Sequence, residues 1–170
     1  MLLASQRLVK NEDLKELLTS LSGTPAGVAR LVRDLRFESI VVRPSRDEFS
    51  ILENVCHLRD IEIEGYAVRI RRILTEDEPV LADVDGTKLA IEREYNRQDL
   101  KQSLTEFTSA RNQNFAILNE VAASAFDRSG TMEGVGTISL ERLLEMMLDH
   151  DQSHLEDIER TLHRLPKISR

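Results

Sequence analysis

The sequence predicts an all-α protein organised as a four-helix bundle. Three observations lead there. The 170 residues include only 7 glycines and 4 prolines, too few for the many turns of a barrel or sandwich. Apolar residues recur at helical spacing in four long stretches. The one clear long connection, residues 75–95, falls between the second and third stretches, an arrangement that helix bundles accommodate. The length suits a single domain, residues 1–170, with a core spanning about residues 12–163.

Residues 1–11 have weak periodicity and read as a frayed lead-in or a short helix. Leu14, Leu17, Leu18 and Leu21 then share one helix face. Thr24-Pro25 has the form of an N-cap followed by proline at the first helical position, so the first helix is expected to restart or kink there. Val28, Leu31, Val32 and Leu35 continue the apolar stripe, and Arg43-Pro44 ends the unit. The second helix has two candidate capping boxes, Ser45 with Glu48 and Ser50 with Glu53. Its stripe runs through Ile51, Leu52, Val55, Leu58, Tyr66, Ile70 and Ile73. Residues 75–95 are acidic; Pro79 and Asp85-Gly86 mark breaks, and Lys88 to Tyr95 reads as a short helix or an extended segment. The third helix runs from about Arg97 to Ala123. Arg111 and Asn114 interrupt its apolar face, either aimed into a polar pocket or snorkelling at a helix seam. Residues 124–138, with Gly130, Gly134 and Gly136, read as a loop. Ser139 caps the last helix, which Leu165-Pro166 closes.

Composition narrows the function. The net charge is -7 and the pI about 5.2, which argues against binding nucleic acid through a basic face. Arg69, Arg71 and Arg72 are the best basic cluster and read as the solvated side of a helix. No apolar run approaches the length of a membrane span. The start, Met1 to Arg7, lacks the basic and apolar regions of a secretion signal. The single cysteine, Cys56, excludes an intrachain disulfide, fits a cytoplasmic protein and reads as a small buried hydrophobe.

The chemistry concentrates in His150-Asp151-Gln152-Ser153-His154. Histidines at i and i+4 sit one turn apart on one helix face, near enough to share a metal ion. They also occupy the stripe of Leu143, Met147 and Ile158, which points into the protein. Buried imidazoles need partners; a metal supplies them, and so would hydrogen bonds to neighbouring side chains. A metal site needs a third ligand. His163 lies half a turn around from His154 and faces away. His57 remains, on the second helix but opposite its main stripe, so it reads either as a surface histidine among carboxylates or as part of a cleft. Asp60, one turn from His57, could orient its ring.

Two segments carry a family resemblance. Phe49-Ser50-Ile51-Leu52-Glu53-Asn54-Val55-Cys56-His57-Leu58-Arg59-Asp60 resembles an aromatic-Ser…His-Leu-x-Asp segment. Gly136-Thr137-Ile138-Ser139-Leu140 leads into His150 to His154. In this order and separation they resemble the DinB-like (damage-inducible, YfiT-like) superfamily of metalloenzymes, over about residues 12–163. Phe49 departs from the tryptophan usual in the family, a difference for packing more than for chemistry. The resemblance implies an up-down-down-up bundle with a long crossover between helices two and three. It implies a divalent metal, zinc or nickel, held by His57, His150 and His154, and a homodimer. Relatives include S-transferases and an isomerase that use a low-molecular-weight thiol.

Three functions follow as expectations. The first is a metalloenzyme in which three neutral histidines leave a position open to activate water or a thiol toward a small-molecule substrate, as hydrolase or thiol-dependent transferase. Asp151 and Asp60 are then candidate general bases or outer-shell groups. The second is a non-enzymatic stress-response binding or structural module stabilised by the metal. The third and weakest is a zinc peptidase, since H-D-x-x-H has an acid one methylene shorter than H-E-x-x-H.

Overall fold

The computed structural model describes residues 2–165, with side chains from residue 12 onward. Four long helical rods form the body. They are α1 (Leu2–Val32), α3 (Ile51–Asp60) running through a π-helical segment (Ile61–Tyr66) into α4 (Ala67–Thr75), α6 (Leu100–Glu120) and α7 (Leu140–Arg164). The first rod packs on α6 and α7, and α3 packs on the same two, so α6 and α7 are both sandwiched between the first two rods. Short helices α2 (Phe37–Ile40) and α5 (Gly86–Glu92) lie in the connections. Among the described residues no helix is long and apolar enough to cross a membrane.

Local chemistry explains most boundaries. Of the two candidate capping boxes, the second is used: the Ser50 hydroxyl accepts from the Glu53 N–H at 3.1 Å, and the Glu53 carboxylate accepts from the Ser50 N–H at 2.8 Å. Asp99 caps α6 and Ser139 caps α7 through the N–H groups of Gln102 and Arg142.

Thr24-Pro25 does not restart the first helix, which continues through it. Proline has no N–H, so the carbonyl one turn back, that of Leu21, loses its helical donor. The Arg111 guanidinium replaces it, with Nη1 donating to the Leu21 oxygen at 2.7 Å. The proline is tolerated because another helix satisfies the group it orphans.

The glycine-rich stretch after α6 is not the loop expected. It contains a 3-10 turn (Ala123–Asp127) and two strands, β2 (Ser129–Met132) and β3 (Gly136–Ser139), paired antiparallel with Gly130 opposite Ile138. Within the long crossover, β1 (Val80–Leu81) joins β2 in parallel, Val80 facing Thr131. At Gly130 a Cβ would sit 2.9 Å from the Pro79 carbonyl oxygen, so glycine is what lets β1 approach. Arg69 is buried, not solvated as expected: its guanidinium donates to the Ala82 carbonyl at 2.9 Å and pairs with Asp83 at 3.2 Å. Arg72 reaches the Val80 carbonyl and Glu76, while Arg71 is exposed. The basic cluster thus ties the crossover to α4.

The core is two apolar compartments with a charged layer between them. One contains Leu21, Tyr66, Ile70, Leu118, Leu143 and Met147; the other contains Val28, Leu52, Val55, Leu58, Phe107 and Ile158. Between them each rod contributes a polar residue: Thr24, Glu62, Arg111 with Asn114, and Asp151, all buried. Arg111 binds Asp151 through both nitrogens, at 2.8 and 3.1 Å, and Glu62 at 2.9 Å. Asn114 donates to the second Glu62 oxygen at 2.7 Å, and Thr24 hydrogen-bonds Asp151. Burial pushes both carboxyls above their usual range, against the pull of Arg111.

Candidate metal centre

Helix α7 presents its apolar face inward, with Leu143, Met147 and Ile158 fully buried. His150 and His154 lie on that face and His163 is exposed. On α3 nearly every residue is buried, not one stripe alone. The crossover covers the side that a two-sided helix would leave wet, since α5 and the 3-10 turn Tyr95–Arg97 both pack on α3. That covering turns the second face of α3, the face of His57, toward the protein interior.

The three imidazoles converge. One ring nitrogen of each lies within 4.8 Å of those of the other two. His57 Nε2 is 3.0 Å from His150 Nε2, and the ring centroids of His57 and His154, and of His150 and His154, are 4.5 Å apart. Burial and then mutual repulsion push all three pKa values from 6.5 down to about 3. The rings are therefore neutral at pH 7, so each keeps one unprotonated nitrogen.

The tautomer of His154 is fixed by its neighbour. Asn54 Nδ2 donates to the Ser50 carbonyl at 2.9 Å, which turns its oxygen toward His154 Nδ1, at 2.6 Å. Nδ1 must then carry the proton, leaving the Nε2 lone pair free. His57 and His150 have buried Nδ1 atoms with no hydrogen-bond partner. Two tetrahedral ligands at about 2.0–2.1 Å from zinc stand about 3.3 Å apart, close to the spacing of the His57 and His150 Nε2 atoms. The donor set therefore fits a divalent cation such as zinc.

The two carboxylates singled out from the sequence point elsewhere. Asp60 accepts from Arg59 at 2.6 Å, from the Tyr95 hydroxyl at 2.7 Å and from Arg93 at 2.8 Å. Burial alone would raise its pKa, but these bonds prevail and hold it below the usual range. Asp151 is turned into the charged layer, toward Arg111. The ring of Phe49 lies 5.5 Å from that of His57. Phe49 also lines a cleft of about 390 Å³ with Arg43, Thr87, Ile91 and Asp157. A larger cavity of about 850 Å³ lies between α1 and the start of α6, and no histidine lines either space. Cys56 is fully buried, and burial pushes its thiol pKa up.

Asn54, Glu62, Arg93 and Tyr95 hold these elements together without a role that the sequence motifs make legible. For Glu62 a signal existed: it sits four residues after Leu58 and four before Tyr66, on the apolar stripe itself. Asn54 and Tyr95 left none, because their partners are distant in sequence.

No curated protein matches the chain. Among solved structures it is similar to YfiT from Bacillus subtilis, with a TM-score of 0.83 at 19% identity, covering 90% of this chain and 87% of the other. That protein is described as a probable metal-dependent hydrolase with an unusual four-helix bundle topology. The likeness establishes the four-helix bundle fold here. Residues 20–158 match the sequence profile of the DinB superfamily. With most of its length covered by that match, the chain belongs to the DinB superfamily.

Proposed function

We propose that this protein is a metal-dependent enzyme acting on a small molecule, with zinc or nickel held by His57, His150 and His154. The observation that carries the reading is the convergence of three neutral imidazole nitrogens within 4.8 Å. When bound, a divalent cation with three histidine ligands keeps a position open and lowers the pKa of a water or thiol there toward neutrality. The protein's part is orientation. Asn54 holds the His154 ring with Nε2 directed into the cluster. Phe49, whose ring lies 5.5 Å from that of His57, also lines the cleft we assign to the substrate, though no histidine itself lines it. Asp60 anchors the crossover, through Arg93 and Tyr95, against the helix that carries His57. Asp151 locks α7 in register through Arg111. Both carboxylates therefore act through the elements they hold rather than on the substrate. Hydrolysis and transfer of an electrophile to a cellular thiol both suit such a centre, and the superfamily resemblance supports both.

The test is metal content. The purified protein should retain about one equivalent of zinc or nickel, and His154→Ala should lose it while remaining folded. Equal metal in the two proteins would overturn the reading.

A further inference from the structure

We propose that Gly86 is a positioning residue for the metal centre: its missing side chain is the space in which the His57 ring is seated. The functional part of this inference rests on the metal reading above; the steric part does not.

A Cβ at Gly86 would lie 2.2 Å from His57 Cε1, 2.5 Å from Nδ1 and 3.5 Å from Nε2. Real Cβ atoms do not approach other atoms so closely, so either the ring or the α5 backbone would have to move. The ring has little room. Phe49 stands 5.5 Å away, His154 4.5 Å and His150 5.1 Å, centroid to centroid. The backbone is held as well. Gly86 opens α5, whose cap is the Asp85 carboxylate accepting the Lys88 N–H at 2.9 Å.

Nothing else at this position calls for glycine. The left-handed glycines are Gly134 and Gly136, so the backbone at Gly86 is open to any L-residue. Gly86 is the first residue of α5, a position where a helix has no need of glycine. The residue is thus required only by the ring. With Gly86 against one edge and Phe49 alongside, the imidazole is held with Nε2 toward His150. Metal ligands tolerate errors of about 0.2 Å; the clash demands a displacement several times that.

Zn²⁺ affinity, measured by competition with a chromophoric chelator, tests the functional part. Gly86→Ala should bind at least tenfold more weakly than the parent. Gly27→Ala, whose Cβ would meet nothing closer than 4.0 Å, should bind as the parent does. Melting of the metal-free proteins tests the steric part. Gly86→Ala should lower Tm in the parent and leave it unchanged or raise it in a His57→Ala background. If Gly86→Ala fails to fold, the double variant decides: its folding supports the seat, and its failure overturns it. Unchanged Zn²⁺ affinity in Gly86→Ala, or an equal Tm loss in both backgrounds, would also overturn the proposal. A parent that binds no Zn²⁺ defeats the metal reading and, with it, the functional part; the Tm comparison then still decides whether the ring sits where the side chain is missing.

Discussion

Replacing Arg111 with methionine tests whether the charged layer supports the bundle. Methionine fills much of the arginine stem but donates nothing. Four hydrogen bonds disappear: two to Asp151, one to Glu62 and one to the Leu21 carbonyl. Asp151 keeps Thr24 and Glu62 keeps Asn114, but both buried carboxylates lose their only guanidinium. Breaking a buried pair by removing one partner costs about 3–5 kcal/mol, a large share of a typical total of about 5–15 kcal/mol. Urea unfolding with chelator present, at pH 7 and at pH 5, is the assay. The sign of the pH effect follows from the carboxyls. Burial already raises Glu62 and Asp151 above their unfolded values, and removing Arg111 raises them further. A carboxyl with a raised folded pKa gains protons on folding, so its penalty is largest above that pKa and shrinks as pH falls toward the unfolded value near 4. The deficit relative to the parent should therefore narrow at pH 5. A deficit under about 1 kcal/mol at pH 7, against that 3–5 expected for a broken buried pair, or one that widens on acidification, would refute the reasoning.

The metal centre gives two further tests. Asn54→Ala removes the only hydrogen-bond acceptor shown for His154 Nδ1; zinc affinity should fall about 10–100-fold, as read by chelator competition, with the helices intact by circular dichroism. The metal-free protein should lose stability on mild acidification, because the three histidines titrate near 3 when folded against 6.5 as the reference. The unfolded chain binds more protons between those values, so stability is full above about pH 6.5 and falls by up to about 1.4 kcal/mol per pH unit for each ring below it. Melting temperatures from pH 7.5 to 5 read this directly, and a flat profile would mean that the rings are not buried as described.

The four rods were legible because packing obeys the helical period, and caps such as Ser50 with Glu53 are local. His150 and His154 were legible for the same reason: i,i+4 spacing on an inward face is a one-helix pattern. His57 was harder. It sits off the main stripe of its helix, and it faces inward only because a distant crossover covers that side. The charged layer was half visible. Arg111 and Asn114 stood out as breaks in an apolar face, but their partners lie 40 to 52 residues away. Pro25 misled because a proline usually orphans a carbonyl, and the donor that rescues this one lies on another helix. The strands around Gly130 were hidden because pairing across a crossover leaves little mark on a short, glycine-rich stretch.

Because directed bonds cross the bundle at a single level, no rod can slide along its axis without breaking one of them, to the Arg111 guanidinium or to the Asp151 carboxylate, which apolar packing alone would not prevent. The layer acts as a bolt through four shafts. Thinning the far compartment, at Ile70 or Leu118 for instance, should loosen that end while leaving the imidazole end in alignment.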